Sequence, residues 1–288
     1  MSTNNSRPSK AERSASAREK AAQMQATQAA AQKRKSLMVK LGVLAAVVVV
    51  VALVVVLIVQ NNNAKISATG SAPQGGNAAG GILLTSPTTV ADTSGIKIDN
   101  TNLVLKDDRP TTPEPSELTV GGKGEPVNVT LYVDANCVHC AEFESTYGPQ
   151  LKQWLADGKI TLEYRNVGFL DGGSPSNFSS RGANALACVA DQSPAAYLDF
   201  ATALWGHYDQ GELKNAELSD MAVAAGASDS VKSCIDKGTF RPFVEKTTVT
   251  AQNEGVGGTP SIFVQGKSVD LASKDFVEAV ESAIKANA

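Results

Sequence analysis

Two cysteines separated by two residues, Cys137-Val-His-Cys140, form the motif with the clearest chemical meaning in this chain. The motif follows an apolar, β-like run at 127–133 and precedes a helix-like segment at 141–147. We therefore expect Cys137 at a helix N-terminus, where unpaired backbone N–H groups and the helix dipole favour the thiolate over the thiol. The thiolate is the form that attacks disulfides. The spacing predicts thiol–disulfide exchange, with Cys137 as the nucleophile and Cys140, one turn into the helix, as the resolving thiol.

An inert structural disulfide is the alternative interpretation of this cysteine pair. It is the weaker one, because closing so short a loop constrains an unfolded chain little. His139 lies between the two cysteines, and an imidazole near the Cys137 sulfur would stabilise the thiolate. A stabilised thiolate means a stabilised reduced form, and therefore an oxidising couple. We predict that His139 tunes the pair; the alternative is an exposed histidine that contributes little beyond the helix dipole.

The charge of the chain is divided by an apolar segment. Residues 1–40 carry nine Lys or Arg and two Glu, whereas the remainder carries 17 Lys or Arg and 27 Asp or Glu. Residues 41–59 are nineteen apolar or small residues without a charge, which at about 1.5 Å per residue can just span a bilayer core of about 30 Å. The positive-inside rule then predicts a cytoplasmic basic tail at 1–40, a single transmembrane helix at 41–59 and an extracytoplasmic remainder.

A cleaved signal peptide is the alternative for this segment. Its basic leader would be shorter than forty residues, and a small-residue cleavage site should follow the apolar run, where Gln60-Asn-Asn-Asn63 stands instead. We expect a retained anchor, with a tail that orients it and contacts anionic lipid rather than nucleic acid.

All four cysteines lie in the predicted extracytoplasmic part, where disulfides persist. We expect Cys188 and Cys234 to bond to each other, which closes a long loop and stabilises the fold by roughly 4 kcal/mol in the entropy model. A second redox pair is the alternative. The cysteine spacings match no usual zinc pattern, so no metal site is predicted.

The segment between the anchor and the CVHC motif gives weak signals. Residues 60–81 are rich in Asn, Gly, Ala and Ser and indicate a flexible tether, and we assign 60–116 to an extracytoplasmic linker. Short strands are conceivable at 82–84, 96–98 and 103–105, and the sequence leaves open whether they pack against the folded domain.

The folded domain is predicted at 117–288. After the CVHC helix, which Pro149 should interrupt, an alternating strand follows at 160–167. A helical block then occupies about 175–255. A short apolar strand at 261–265 follows Gly257-Gly-Thr-Pro260, and an amphipathic helix at 275–286 closes the chain.

This arrangement resembles the DsbA-like thioredoxin-fold oxidoreductases, specifically their membrane-anchored Gram-positive or actinobacterial type, over about residues 117–288. The marks are the CVHC motif after its strand, Phe143 and Glu144 on the following helix, the helical block, and Gly257-Gly-Thr-Pro260 before a strand. The resemblance implies an α/β thioredoxin fold with an inserted helical domain. The more familiar motif of this family has Pro where this chain has Val138, so the redox potential is not carried over.

The resemblance also implies roles for three residues. Pro260 should be cis and lie beside the active thiols; the alternative is an ordinary trans proline at a strand edge. A cis turn would expose the main chain of Thr259, which should then pair with an extended substrate. Glu144 should lie below the active site and assist proton transfer to Cys140; the alternative is a solvated helix residue.

The expected function is that of a membrane-anchored thiol:disulfide oxidoreductase that introduces disulfide bonds into exported proteins and needs no bound cofactor. Its expected partners are reduced exported proteins and, by resemblance, a membrane reoxidation protein of the DsbB or vitamin K epoxide reductase type. A reductase or isomerase of the same fold is the first alternative. A tethered chaperone or binding module with a vestigial CVHC pair is the alternative of another class.

Overall fold

The computed structural model describes residues 66–270 and 275–288. The predicted tail at 1–40 and the predicted anchor at 41–59 lie outside these ranges. Within them, no helix is both long enough and apolar enough to cross a bilayer.

The described part of the chain contains a βαβ unit at 127–167 and a ββα unit at 261–287, with a run of helices between them. The strands are β1 (Thr69–Ser71), β2 (Ile82–Ser86), β3 (Thr89–Val90), β4 (Lys97–Asp99), β5 (Val127–Asp134), β6 (Ile160–Val167), β7 (Ser261–Val264) and β8 (Lys267–Val269). The helices are α1 (Val138–Ala156), α2 (Phe178–Gln192), α3 (Tyr197–Gly206), α4 (Asn215–Ala224), α5 (Ser230–Lys237), α6 (Arg241–Asn253) and α7 (Phe276–Asn287).

A six-stranded mixed sheet in the order β3-β2-β6-β5-β7-β8 carries the fold. Strands β5 and β6 run parallel because α1 forms the crossover between them, whereas β7 pairs antiparallel with β5. All eight residues of β5 are buried, as expected for a strand covered on both faces. The result is the predicted thioredoxin fold, with β5 as its central strand and the CVHC motif directly after it.

Strand β8 was not predicted from the sequence. It pairs antiparallel with β7 through a two-residue turn at Gln265 and Gly266, whose φ angles are 48° and 72°. Two consecutive positive φ angles are typical of the hairpin turn whose twist matches that of the strands.

Helix α1 runs through Pro149, which the sequence predicted would interrupt it. Its apolar face packs against the closing helix α7: the rings of Phe143 and Phe276 are 5.1 Å apart, and those of Trp154 and Phe276 are 6.3 Å apart. These contacts stabilise the helix that carries the CVHC motif, although a proline removes one of its backbone hydrogen bonds.

The helical block predicted at about 175–255 consists of α2 to α6, inserted between β6 and β7. Cys188 of α2 and Cys234 of α5 form the predicted disulfide, with both residues buried and an S–S distance of 2.00 Å. The bond fastens two helices that are separated by 46 positions in the sequence.

The assignment of 60–116 to a linker is wrong for the residues that the structure describes there. The described residues form one compact unit, and β2 pairs antiparallel with β6. Ile82 and Leu84 have no exposed surface. A second, two-stranded sheet joins β1 to β4, whereas the suggested strand at 103–105 is not formed.

The glycines that suggested a tether instead permit close packing. Gly80 has a φ of 88°, and a Cβ there would lie 2.2 Å from the side chain of Thr247. A Cβ on Gly81 would lie 2.0 Å from the carboxylate of Glu163. Glycine therefore occurs at these positions because the backbone runs against α6 and β6, which composition alone does not distinguish from a flexible segment.

A buried ion pair on β6 fastens this N-terminal segment to the sheet. Arg165 and Glu163 are both fully buried, and the guanidinium Nε donates to the carboxylate at 2.7 Å. Glu163 also accepts from Asn77 at 3.1 Å, and Arg165 donates to the carbonyl of Glu117 at 2.9 Å. Since a buried charge is tolerated only when it is paired and hydrogen-bonded, the segment and the pair depend on each other.

Candidate active site

The end of β5 positions the CVHC motif through Asp134. Its carboxylate accepts from the N–H of Asn136 at 2.8 Å, and its carbonyl accepts from the N–H of Cys137 at 3.2 Å. Trp205 of the helical block donates from Nε1 to the same carbonyl at 3.1 Å. These bonds turn the chain out of the sheet and leave Cys137 as the extended N-cap residue of α1, with φ −94° and ψ 118°.

Cys137 lies at the start of the helix, as predicted, but it is buried rather than partly exposed. The residue is 6% exposed. A hydrogen bond with the Cys140 thiol lowers the pKa of Cys137 to about 5, with further help from Thr259 and from the backbone N–H groups of Cys140 and His139, while burial opposes the shift. Because hydrogen bonds to the charged form favour it, Cys137 is a thiolate at neutral pH.

The pKa of Cys140 is shifted in the opposite direction. It has no exposed surface, and burial raises its pKa far above that of a free thiol; the neighbouring Cys137 thiolate raises it further. It therefore keeps its proton and donates it in the hydrogen bond to Cys137. One thiol of the pair is prepared to attack and the other to hold a proton.

The peptide bond between Thr259 and Pro260 is cis, as the family resemblance implied. The sulfur of Cys137 lies 3.3 Å from the carbonyl oxygen of Thr259. The loop before β7 is thus in direct contact with the nucleophile, and the fold brings together Cys137 and Thr259, which are 122 residues apart in the sequence.

His139 is exposed, and its ring is hydrogen-bonded to Glu142 rather than to the sulfur of Cys137. Its Nδ1 lies 2.9 Å from a carboxylate oxygen of Glu142, and this hydrogen bond and the charge of Glu142 raise the pKa of His139. The attraction of the Cys137 thiolate is the smallest of the effects that raise it. Tuning by the imidazole stays a prediction, and the backbone N–H of His139 already lowers the pKa of Cys137.

Glu144 is buried rather than solvated. Tyr164 donates to its carboxylate at 2.8 Å, and burial raises the pKa of Glu144 to about 7. A carboxyl with that pKa can hold or release a proton near neutral pH. Among the described residues, however, no hydrogen bond joins Glu144 to either cysteine, so its part in proton transfer stays a prediction.

The sequence interpretation missed Asp134. Its side chain is fully buried, it accepts from the N–H of Leu170 at 3.0 Å, and burial raises its pKa to about 6. The charge of the Cys137 thiolate contributes to the same shift. The available signal was an acidic residue at the end of an otherwise apolar strand, three positions before the first cysteine. In the described part of the chain, no three His, Cys, Asp or Glu side chains are grouped as they would be to hold a metal ion.

Comparison with known proteins agrees with this geometry. The family model described as Thioredoxin matches residues 114–286. Disulfide bond formation protein D of Bacillus subtilis is 27% identical over 174 residues, which is 58% of this chain and 76% of that protein. The crystal structure of oxidised BdbD from Bacillus subtilis is 26% identical, with a TM-score of 0.50, and the match covers 62% of this chain and all of that one.

A further match is to part of a much longer protein. Serine/threonine-protein kinase PknE of Mycobacterium tuberculosis is 30% identical over 156 residues, which is 50% of this chain. This chain spans only 28% of the length of that relative.

Proposed function

The chain belongs to the thioredoxin family, among its DsbA-like members, and on that premise we propose that it is a membrane-anchored, extracytoplasmic thiol:disulfide oxidoreductase that introduces disulfide bonds into exported proteins. The reaction centre is the Cys137–Cys140 pair. The observation that carries the proposal is the opposite ionisation of these two thiols beside the cis Thr259–Pro260 bond.

The reaction begins from the disulfide form of the pair. A substrate thiolate attacks the sulfur of Cys137, the Cys137–Cys140 bond breaks, and a mixed disulfide forms at Cys137. The sulfur of Cys140 leaves as a thiolate and takes up a proton, as the raised pKa of this buried thiol requires. A second thiolate of the substrate then attacks the mixed disulfide, which oxidises the substrate and releases Cys137 as a thiolate.

The low pKa of Cys137 supports the oxidising direction. Cys137 is the leaving group in the second step, and a thiol of lower pKa leaves faster. A stabilised thiolate also stabilises the reduced dithiol, which makes the disulfide form the stronger oxidant. A reductase or isomerase of the same fold would require a lower potential than this arrangement favours.

The location and partners of the enzyme are proposed from the sequence. The apolar residues 41–59 would hold the domain at the outer face of the membrane, and the basic tail would remain inside. There the domain would meet emerging reduced proteins, at an effective concentration raised by the tether. We propose that a membrane protein of the DsbB or vitamin K epoxide reductase type restores the disulfide.

The test uses the full chain, purified in detergent with the Cys137–Cys140 pair oxidised. A reduced peptide with two cysteines should lose both thiols while the enzyme gains two, with one peptide disulfide formed for each CVHC disulfide consumed. Cys137→Ser should abolish the reaction, and a Cys188→Ala, Cys234→Ala variant should retain it. A wild-type enzyme that leaves the peptide reduced would contradict the proposed activity, and labelling of Cys137 only after the membrane is permeabilised would contradict the proposed location.

A further inference from the structure

Residues 104–116 cross the C-terminal end of α6, and we name this segment the strap. The amide of Asn253, the last residue of α6, donates from Nδ2 to the carbonyl of Val104 at 2.9 Å. Its Oδ1 accepts from the N–H of Lys106 at 2.8 Å. Because an asparagine amide carries both a donor and an acceptor, this one side chain fixes the start of the strap to the helix.

Glu254, the C-cap residue of α6, fixes the other end of the strap. Its carbonyl accepts from the N–H of Glu114 at 2.8 Å, which satisfies one of the backbone acceptors that a helix C-terminus leaves unpaired. Its Oε1 accepts from the N–H of Ser116 at 2.9 Å and also from the Ser116 hydroxyl. Hydrogen bonds to a charged acceptor are stronger than those between neutral groups, so the Glu254 carboxylate is the principal attachment of the strap.

The strap is held close to the helix end along its length. A Cβ on Gly255 would lie 2.6 Å from the carbonyl oxygen of Pro110, so the two backbones are in direct contact. At the exit of the strap, Glu117 has a φ of 55°, a conformation that residues other than glycine rarely adopt. The buried guanidinium of Arg165 donates to the carbonyl of Glu117 at 2.9 Å and stabilises this turn.

The end of α6 leads directly into the loop that contacts the nucleophile. Thr259 follows Glu254 by five positions, and its carbonyl oxygen lies 3.3 Å from the sulfur of Cys137. Between them, Val256 is fully buried, but a Cβ on either of the two glycines after it would meet no atom of the described residues within 4 Å. The position of Thr259 therefore depends on where α6 ends.

We infer that the strap fixes the Thr259 loop against the sulfur of Cys137, and that Asn253 and Glu254 are positioning residues for the thiol exchange. This inference rests on the proposed function, because it concerns the same reaction centre. The two residues act through the loop, since the hydrogen bonds of their side chains go to the strap. Thr259 helps to stabilise the Cys137 thiolate, and it can do so only while the loop stays within hydrogen-bond distance.

The test compares Glu254→Ala with Glu254→Gln in the reduced full chain, purified in detergent. Glu254→Ala removes the acceptor of both Ser116 bonds, so the pKa of Cys137 should rise by about half a unit, which is an about threefold loss of thiolate stability. Loss of a negative charge by itself would lower this pKa, so the direction of the shift separates the two causes. The pKa is measured from the ultraviolet absorbance of the thiolate.

Glu254→Gln is the conservative variant. It removes the same charge but retains an oxygen acceptor for Ser116. In the described part of the chain, Oε2 of Glu254 is buried without a hydrogen-bond partner, so an amide nitrogen in its place breaks no bond. The pKa of Cys137 in Glu254→Gln should therefore not rise above the wild-type value. Asn253→Ala, which releases the start of the strap, should shift the pKa in the same direction as Glu254→Ala.

A second measurement is the equilibrium between the CVHC disulfide and glutathione at pH 7. A less stable thiolate makes the disulfide form a weaker oxidant, so the equilibrium constant for glutathione oxidation should fall about threefold in Glu254→Ala. Leu84→Ala is the control for lost stability, because Leu84 is fully buried in β2 and does not belong to the strap. It should destabilise the protein in urea and leave both the equilibrium constant and the pKa of Cys137 unchanged.

Four results would overturn the inference. An unchanged pKa in both Glu254→Ala and Asn253→Ala would mean that the buried side chain of Val256 alone fixes the loop. A lower pKa in Glu254→Ala would mean that the carboxylate acts on the sulfur by its charge. A rise of equal size in Glu254→Gln or in Leu84→Ala would remove the link to the strap. The proposed function fails separately, if the oxidised wild-type chain leaves a reduced two-cysteine peptide unchanged.

Discussion

Removing the thiol of Cys140 should raise the pKa of Cys137 more than removing the imidazole of His139. The hydrogen bond from Cys140 is the largest cause of the low Cys137 pKa, whereas the His139 ring is paired with Glu142 at 2.9 Å. The two substitutions, Cys140→Ala and His139→Ala, therefore separate the effect of the buried thiol from that of the exposed histidine.

The magnitude follows from the strength of one hydrogen bond to a charged acceptor. Such a bond contributes roughly 1.5–3 kcal/mol. One pKa unit corresponds to about 1.4 kcal/mol, so the loss of the bond should raise the pKa by about one to two units. Starting from about 5, the pKa of Cys137 in Cys140→Ala should then be about 6 to 7. Cys140→Ser retains an O–H donor at the same position and should show a smaller rise.

The assay is a pH titration of the thiolate by its ultraviolet absorbance in the reduced full chain, supported by the pH dependence of alkylation by iodoacetamide. Cys140 does not interfere, because its pKa lies far above the titrated range. In His139→Ala the midpoint should move by less than in Cys140→Ala, since the backbone N–H of residue 139 is retained.

Two results would refute this reasoning. One is a wild-type midpoint near the value of 9.0 for an ordinary thiol, which would mean that the Cys137 thiolate is not stabilised. The other is a larger rise in His139→Ala than in Cys140→Ala, which would mean that the imidazole is the principal tuner and that its ring turns toward the sulfur in solution.

Three further predictions concern stability. Burial raises the pKa of Glu144 from 4.5 to about 7, so the protonated carboxyl stabilises the folded state below pH 4.5, and this stabilisation is lost as the pH rises through 7. It amounts to roughly 3 kcal/mol. Glu144→Gln should therefore remove this pH dependence from the unfolding free energy measured in urea between pH 5 and 8. An unchanged pH slope would contradict it. The Cys188→Ala, Cys234→Ala variant should lose roughly 4 kcal/mol of unfolding free energy while still oxidising peptides, and a loss of activity in the folded variant would assign this disulfide a redox role. Leu84→Ala should cost about 2–5 kcal/mol because Leu84 is fully buried in the sheet, whereas a substitution in a linker would leave the urea midpoint unchanged.

The sequence was most informative where neighbouring residues determine structure. A β-like run followed by CVHC and a helical pattern placed Cys137 at a helix N-terminus, because strand, turn and helix all form from local contacts. The Gly-Thr-Pro motif before a strand could be related to the same site only through the family resemblance, since nothing local indicates that Thr259 lies 3.3 Å from Cys137.

The N-terminal segment shows where local signals fail. Its strands are two to five residues long, which is too short for a clear alternation of apolar and polar residues. Its glycines suit a tether as well as a tightly packed backbone. Only the partners of the segment, the buried pair of Glu163 and Arg165 on β6, distinguish the two.

The amino-acid sequence by itself indicated the chemistry of this protein: two thiols at the start of a helix, followed by a helical block with a long-range disulfide. The tertiary structure alone decided how each group ionises, because burial and hydrogen bonds depend on residues far apart in the chain. It turned His139 toward Glu142 and buried Asp134 and Glu144. Long-range packing sets the dielectric surroundings of each group, and no local pattern encodes them.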